Sequence, residues 1–535
     1  METMYRGMPN INDDRIRLAN DSPIDPAGRY VLYWCQMYRR WDRNHALDAA
    51  IAQARELKKP LVVYEGLKLN YPWASARMHQ FMLEGMAESA KRAKELGIHY
   101  WPFVETPEHN GHGLLRQLCE KACLLITDDY PQFIVPAQIR ALAAKVDIAV
   151  WAVDGNSLVP LKLLGPPTAA AAHLRPKIRK LFAEGWKHRA EAEPDFERVR
   201  GPKSLAAPFE LWQPPDDLGA FVKGLPIDQS VPAVSGTPGG SIEAHAVLSD
   251  FLKFKLDRYA EERSLPDDPK RNSASRLSPH LRHGHISIQE VVEQTLGKKW
   301  TLDEINPQAR GRDDYYCRDA NINSFLDEAI TWRDVGLQWN FARRGQGSGV
   351  SSQNKSWQNE GEQPSFNFET HDFSPLSSKG TLQAVLPPWA MATLEKHTGD
   401  AREFLYTLEE FENADTHDEL WNAAQTELVA TGRIHNYLRM LWGKKVLEWT
   451  KTPEEAYSIL EHLNNKYALD GRDSNSYTGI LWCFALFDRP WPPERQVFGN
   501  IRFMSSTNTG KKFKLKGYLE YADRLKGKKS QSLFD

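Results

Sequence analysis

The feature that most constrains this chain is an alternation in its first 165 residues. Short β-rich apolar runs, YVLYW (30–34), PLVVY (60–64), HYWPFV (99–104), LLIT (124–127) and IAVWAV (148–153), are separated by helical patterns such as HALDAAIAQARELKK and GLLRQLCEKAC. Strands spaced by helices predict right-handed crossovers and a parallel sheet. No G-x-G-x-x-G follows the first strand, so the standard dinucleotide fingerprint is absent. The sheet also cannot account for the whole chain. At 535 residues it exceeds the size at which a single core keeps growing, and at least one further domain is expected.

The composition changes after residue 200. Residues 201–242 contain GPKSLAAPFELWQPP and LPIDQSVPAVSGTPGGS, rich in Pro, Gly and Ser, and read as an inter-domain linker. The predicted division is an α/β domain over 28–200, the linker, and a helical domain over 243–535. A long polar loop (343–380) interrupts the helical part. The stretch from Arg489 onward is rich in Lys, and Lys511, Lys512, Lys514, Lys516, Lys526, Lys528 and Lys529 offer phosphate contacts. A solvated, fraying terminus is an equally good reading of that tail. The net charge of -2 argues neither for nor against nucleic acid, because local charge decides. Five cysteines without disulfide or zinc spacing read as reduced structural thiols, with Cys119 and Cys123 on one helix face. No apolar run reaches the roughly 18 residues needed to span a bilayer. The expected compartment is the cytoplasm, or the nucleus of a nucleated cell, with no membrane partner.

Four elements in the later part carry chemistry. GRIHNYLRMLWGKKVLEW (432–449) reads as an amphipathic helix with Ile434, Leu438, Leu441, Val446 and Trp449 on its buried stripe. Gly443 costs roughly 1 kcal/mol in mid-helix, so a close neighbour is expected there. Trp442 and Trp449, seven apart, share a face about 10.5 Å apart along the axis, and Trp421 belongs to the preceding helix. Such indoles are either core or a relay for electrons, and spacing does not choose. HLNNKYALDGRDSNSYTGILW (462–482) crowds Asn464, Asp470, Arg472, Asp473, Asn475 and Tyr477 between apolar stretches. A local loop ion pair is one reading; a heteroaromatic ligand with Arg439 as counter-ion to the carboxylates is the other. NSASRLSPHLRHGHIS (272–287) is either an N-cap cluster or a phosphate site. In NSFLDEAITWRDVGLQWNF (323–341), Glu328 and Trp332 share a helix face and could hold a flat heterocycle, or Glu328 is simply a solvated acid.

Taken in order, these elements resemble the photolyase/cryptochrome family. ASRLSPHLRHGHIS is similar to its phosphate-binding segment, DEAITWRD to its lesion-binding helix, IHNYLRM to its flavin-side motif, and YWCQMYRRWDRNHAL to the start of its antenna domain. LNNKYALDGRD, SYTGILW, VFGNIRFM and the Trp421/Trp442/Trp449 spacing resemble class II cyclobutane pyrimidine dimer photolyases. The resemblance spans roughly 28 to 525. It implies a Rossmann-like antenna domain followed by an all-helical FAD domain, and a monomeric enzyme acting on UV-damaged DNA. The activity implied is light-driven electron transfer from reduced FAD to a flipped-out dimer, splitting the cyclobutane ring. Tyr259, Ser273, Ser275, Arg276, Leu277 and Ser278 would hold the FAD pyrophosphate, with Ala274 standing where many relatives have a hydroxyl. Arg439 and Asp470 would pair over the isoalloxazine, Asn464 would face its N5, and Arg472 and Asp473 would also bind the cofactor. Glu328, Trp332, Asn436, Met440 and Trp482 would line the dimer pocket. Trp442, Trp421 and Trp449 would carry electrons. An antenna of 8-hydroxy-5-deazaflavin or methenyltetrahydrofolate type is implied as possible. Two rival readings remain, a cryptochrome-type photoreceptor and a (6-4) photoproduct photolyase using His435 or His283.

Overall fold

The computed structural model describes residues 13–267, 272–344 and 378–531; most of the 343–380 loop lies outside them. The chain forms two compact units. The first comprises Met1–Pro167, Leu174–Lys253 and Ser275–Gly345; the second comprises Thr168–His173, Phe254–Ala274 and Gln346–Asp535.

The first unit is built on a six-stranded sheet: β1 (Ile16–Leu18), β2 (Tyr30–Trp34), β3 (Leu61–Leu67), β4 (His99–Val104), β5 (Ala122–Asp128) and β6 (Ala149–Val153). The order is β1-β6-β5-β2-β3-β4, with every pairing parallel except β1 against β6. All five predicted strands are present. Every residue of β2, β5 and β6 is buried, as expected of parallel strands covered on both faces. The antiparallel β1 was not predicted, since three residues are too few to show a period. It is fixed from behind by Arg15, whose buried guanidinium donates to the carbonyls of Asp154, Ser157 and Leu158 at 2.7–3.0 Å.

Helix ends follow local chemistry. Asn44 caps His45–Leu57 by accepting from the N–H groups of Ala46 and Leu47, and Gly97 closes Ala76–Leu96 in the left-handed conformation. One expectation fails here. The helix Leu114–Cys119 ends at Cys119, and Cys123 lies in β5, so the two thiols do not share a helix face. The run ACLLIT continues the apolar pattern, which hid the turn between helix and strand. Residues from the 201–242 segment pack along this unit: Trp212 N–H donates to Pro102 O, and Asp228 O and Val231 O accept from Ala76 and Arg77.

The strand order reverses between β2 and β5, and their carboxyl ends form the crevice where ligands bind in open α/β sheets. There Asp128, fully buried, accepts from the backbone N–H groups of Gln36, Met37 and Tyr38 and from the Tyr33 hydroxyl. A small cleft nearby is lined by Arg40, Arg282, Arg333, Tyr130 and Asn156, among others.

The second unit is helical. Glu419–Thr431, Asn436–Glu448, Pro453–Tyr467 and Ser474–Trp482 form its centre. The predicted helix over 432–449 starts four residues late, because Gly432 (φ 66°) ends the preceding helix in the left-handed region. The close neighbour expected at Gly443 is Cys483: a Cβ on Gly443 would sit 2.4 Å from its Sγ. The C-terminal segment is not a fraying tail. Lys516–Gln531 is helical, and the Tyr518 hydroxyl donates to Glu427 Oε2 at 2.7 Å. Among the described residues, no helix is long and apolar enough to cross a membrane.

Candidate functional site

In the second unit, three consecutive helices bring the predicted polar residues together. Leu469 N–H donates to Gly432 O, so the ALDGRD turn lies beside the start of Asn436–Glu448. Across that junction Arg439 Nη2 meets Asp470 Oδ1 at 3.4 Å, the ion pair expected from sequence. Both side chains keep some solvent access, so the pair alone stabilises little. Asn465, fully buried, accepts from the backbone N–H of Arg472 at 2.8 Å and from Asn464 Nδ2 at 3.2 Å. The Asn464 amide is thereby oriented with its carbonyl oxygen left as acceptor. Arg472 holds φ 61° with only 2% exposure; a non-glycine residue in that region is a strained conformation of a kind that clusters at ligand sites. Asp473 serves the fold locally, accepting from Asn475 N–H as the N-cap of Ser474–Trp482.

Asn436, Arg439 and Met440 share one side of their helix at spacings of three and four; Asn436 is exposed and the other two are half-buried. His435, just before them, is buried, and burial pushes its imidazole down to about 4. Trp482 ends its helix, half-buried, with Lys444 Nζ 4.7 Å and Arg502 Cζ 5.5 Å from its ring. Lys444 itself is fully buried, donates to Cys483 O at 2.8 Å, and is lowered to about 8 by burial. Sequence reading missed this lysine because it looked like one of a solvated KK pair.

The three indoles form a continuous chain of ring contacts, one stacked and one edge-to-face, in an order different from the one along the sequence. Trp421 is central: its ring lies 6.5 Å from Trp442, 8° from parallel, and 6.0 Å from Trp449 at 67°. None is more than 3% exposed, as the core reading expects. Trp442 Nε1 donates to Gln425 Oε1 at 3.0 Å and Trp421 Nε1 donates to Trp442 O at 3.0 Å. Gln425 was not singled out from sequence, where it stands among Asn422, Thr426 and Glu427 as one polar residue of several.

Tyr259 and Ser273 also belong to the second unit; Tyr259 is buried and Ser273 Oγ donates to Glu262 Oε2 at 2.9 Å. Ser275, Arg276, Leu277 and Ser278 belong to the first. Arg276 holds φ 60°. Its side chain and that of Ser278 are exposed, while Leu277 is buried. No side chain caps Ser278–His283, so the serines there are not an N-cap cluster.

Glu328 and Trp332 of the first unit lie on a π-helical segment, Asp327–Trp332, between the α-helices Ala320–Leu326 and Arg333–Arg343. Sequence reading gave one continuous helix. Such π segments frequently mark functional sites. Trp332 is 40% exposed, an unusual position for an indole. The segment is held from below by Asp327, which takes two hydrogen bonds from Arg175 at 2.7 and 2.9 Å.

A parallel sheet followed by a helical unit is the architecture this chain shares with photolyases and cryptochromes. The fold is similar to that of a class III photolyase from Agrobacterium tumefaciens (TM-score 0.59, 18% identity, 93% of this chain and 86% of that one). It is also similar to a cryptochrome of Synechocystis (TM-score 0.57, 15% identity, 92% and 87%). No family model matches the chain. The chain belongs to the deoxyribodipyrimidine photo-lyase family, and is an enzyme of that family. It is 32% identical to the deoxyribodipyrimidine photo-lyase of Methanothermobacter thermautotrophicus over 97% of its length and 99% of that protein's. The corresponding protein of Arabidopsis thaliana is 29% identical over 96% of this chain and 94% of the relative.

Proposed function

We propose that this protein is a class II cyclobutane pyrimidine dimer photolyase, binding FAD among the helices of its second unit. The observation that carries the reading is the convergence of the Arg439–Asp470 pair, the Asn464 carbonyl and a three-indole chain on four consecutive helices. The donor set fits a flavin: Asn464 offers an acceptor to N5–H, and Arg439 a cation to the ring face, where a carboxylate in place of Asn464 would oppose negative charge. Bound flavin supplies light absorption and one-electron donation; the chain supplies the rest. Trp332 of the first unit and, separately, Trp482 of the second each offer a ring on which a base flipped out of the duplex stacks, offsetting a few kcal/mol of unstacking. Glu328 hydrogen-bonds a pyrimidine C4 carbonyl, where negative charge grows during ring splitting. Lys511, Lys512, Lys514, Lys516 and Lys526 meet backbone phosphates, which makes affinity fall with salt. Arg40, Arg282 and Arg333 beside β2 and β5 would meet the anionic part of a second chromophore. The monomeric state is part of the same reading.

Burial pushes the His435 imidazole down to about 4, which disfavours the charged form that a proton-donating histidine needs. The decisive experiment illuminates the reduced protein with an oligonucleotide carrying a cyclobutane thymine dimer. Recovery of undamaged thymines is expected; no recovery from fully reduced protein rejects the proposal.

A further inference from the structure

The three indoles differ in what their N–H groups meet, and that difference decides which of them can lose a proton. Removing an electron from an indole makes its N–H a far stronger acid. If the acceptor is a carboxylate or an imidazole, the proton transfers and the charge is trapped as a neutral radical. An amide oxygen or a peptide carbonyl accepts a hydrogen bond but is not basic enough to take the proton. Its dipole still favours the positive charge. Both inner indoles have acceptors of this second kind. Trp442 donates to the Gln425 amide oxygen and Trp421 to the Trp442 carbonyl, each at 3.0 Å.

Gln425 is built for this orientation. It has no solvent exposure, and its Nε2 points at Glu412 O at 3.5 Å, which turns the oxygen toward Trp442. The nearby carboxylate of Glu412 is held by His462, Lys466 and Tyr467 at 2.8–3.3 Å. Trp449 has different company: its ring lies 5.0 Å from the exposed His417 imidazole.

We propose that Gln425 is a positioning residue that keeps Trp442 protonated after oxidation, so that charge crosses the inner indoles by electron hops. This rests on the relay reading given above. The electron lost by Trp442 goes to the photoexcited flavin. Trp421 then reduces the Trp442 radical cation, and Trp449 reduces that of Trp421. An external thiol returns the electron at the Trp449 end, losing its own proton to solvent. No bond to hydrogen breaks at Trp442 or Trp421.

The test compares Gln425→Glu and Gln425→Met in the flavin-loaded Trp449→Phe background, which confines the charge to the inner pair. After a laser flash, transient absorption separates the cation and neutral indole radicals. With Gln425 present, the radical should remain a cation until it recombines. Gln425→Glu should shift it to the neutral form, with a solvent deuterium isotope effect on that conversion. Gln425→Met, which folds without a buried acid, should move the Trp442 indole ¹⁵N–¹H resonance in the dark, flavin-free protein. A cationic radical without isotope effect in Gln425→Glu, or an unmoved resonance in Gln425→Met, overturns the inference alone. Absence of any indole radical in the otherwise unsubstituted protein removes the relay and the inference together.

Discussion

Gly443→Ala offers a sharp test of how the indole-bearing helix is seated. By propensity alone the change should help, because alanine is favoured over glycine by roughly 1 kcal/mol in a helix interior. The structure predicts the opposite sign. The new Cβ would lie 2.4 Å from Cys483 Sγ, so one of the two must retreat by more than 1 Å to reach ordinary contact of about 3.5–4.0 Å. Cys483 is 4% exposed and its carbonyl is held by Lys444, so it has little room to yield. Overpacking of this kind costs about 1–3 kcal/mol, giving a net loss of about 0–2 kcal/mol after the propensity gain. Cys483→Ala removes the obstructing sulfur. In that background Gly443→Ala should become neutral or stabilising, with a coupling of about 1–3 kcal/mol between the two sites. Urea unfolding followed by circular dichroism measures all four corners of the cycle. A stabilised single Gly443→Ala variant, with no coupling to Cys483, would refute the seating described here.

Trp421→Phe should abolish flavin photoreduction while chemically reduced protein still repairs dimers, because the central ring is the only one that touches both others; steady illumination followed by visible absorption reports it. Asp327→Asn weakens the bidentate pair with Arg175, whose partners are only 16% and 5% exposed. It should lower stability by about 1–3 kcal/mol and weaken dimer binding more than undamaged-DNA binding in a fluorescence titration. Glu461 is buried, and burial raises its carboxyl to about 8. Its contribution is therefore fully present below the unfolded value near 4.5 and is lost as pH rises through 8. Stability should fall by a few kcal/mol between pH 5 and 8, and Glu461→Gln should flatten that slope in denaturant titrations at several pH values.

Much of this was legible before any coordinates. The parallel strands declared themselves because buried strands must be nearly all apolar, and the Arg439–Asp470 pair because two charges beside apolar runs need each other. What escaped depends on contacts between segments distant in sequence. Separations of 7 and 21 residues cannot reveal that Trp421 sits between Trp442 and Trp449, since ring stacking is set by how two helices cross. Gly432 looked like the first residue of a helix and is the last cap of another; only its positive φ tells them apart. Lys444 and Gln425 are polar residues whose partners, a carbonyl pair and an indole N–H, have no sequence signature. The three-residue β1 is likewise defined by its neighbour, β6, and not by its own composition.

The widened turn at Asp327–Trp332 behaves, topologically, as one extra residue let into an otherwise ordinary helix. Deleting Ala329 would let the turn close into ordinary α-helix with both flanks still in register. Asp327 upstream is tied to Arg175, and downstream Arg333 and Asp334 are tied to Asn156 O and Ser157. Both flanks are thus moored to the same unit, and a shortened helix would keep those moorings. What would change is the turn itself, where Glu328 and Trp332 would become three residues apart instead of four. The extra residue therefore sets how 328 and 332 are presented and not how the helix is seated.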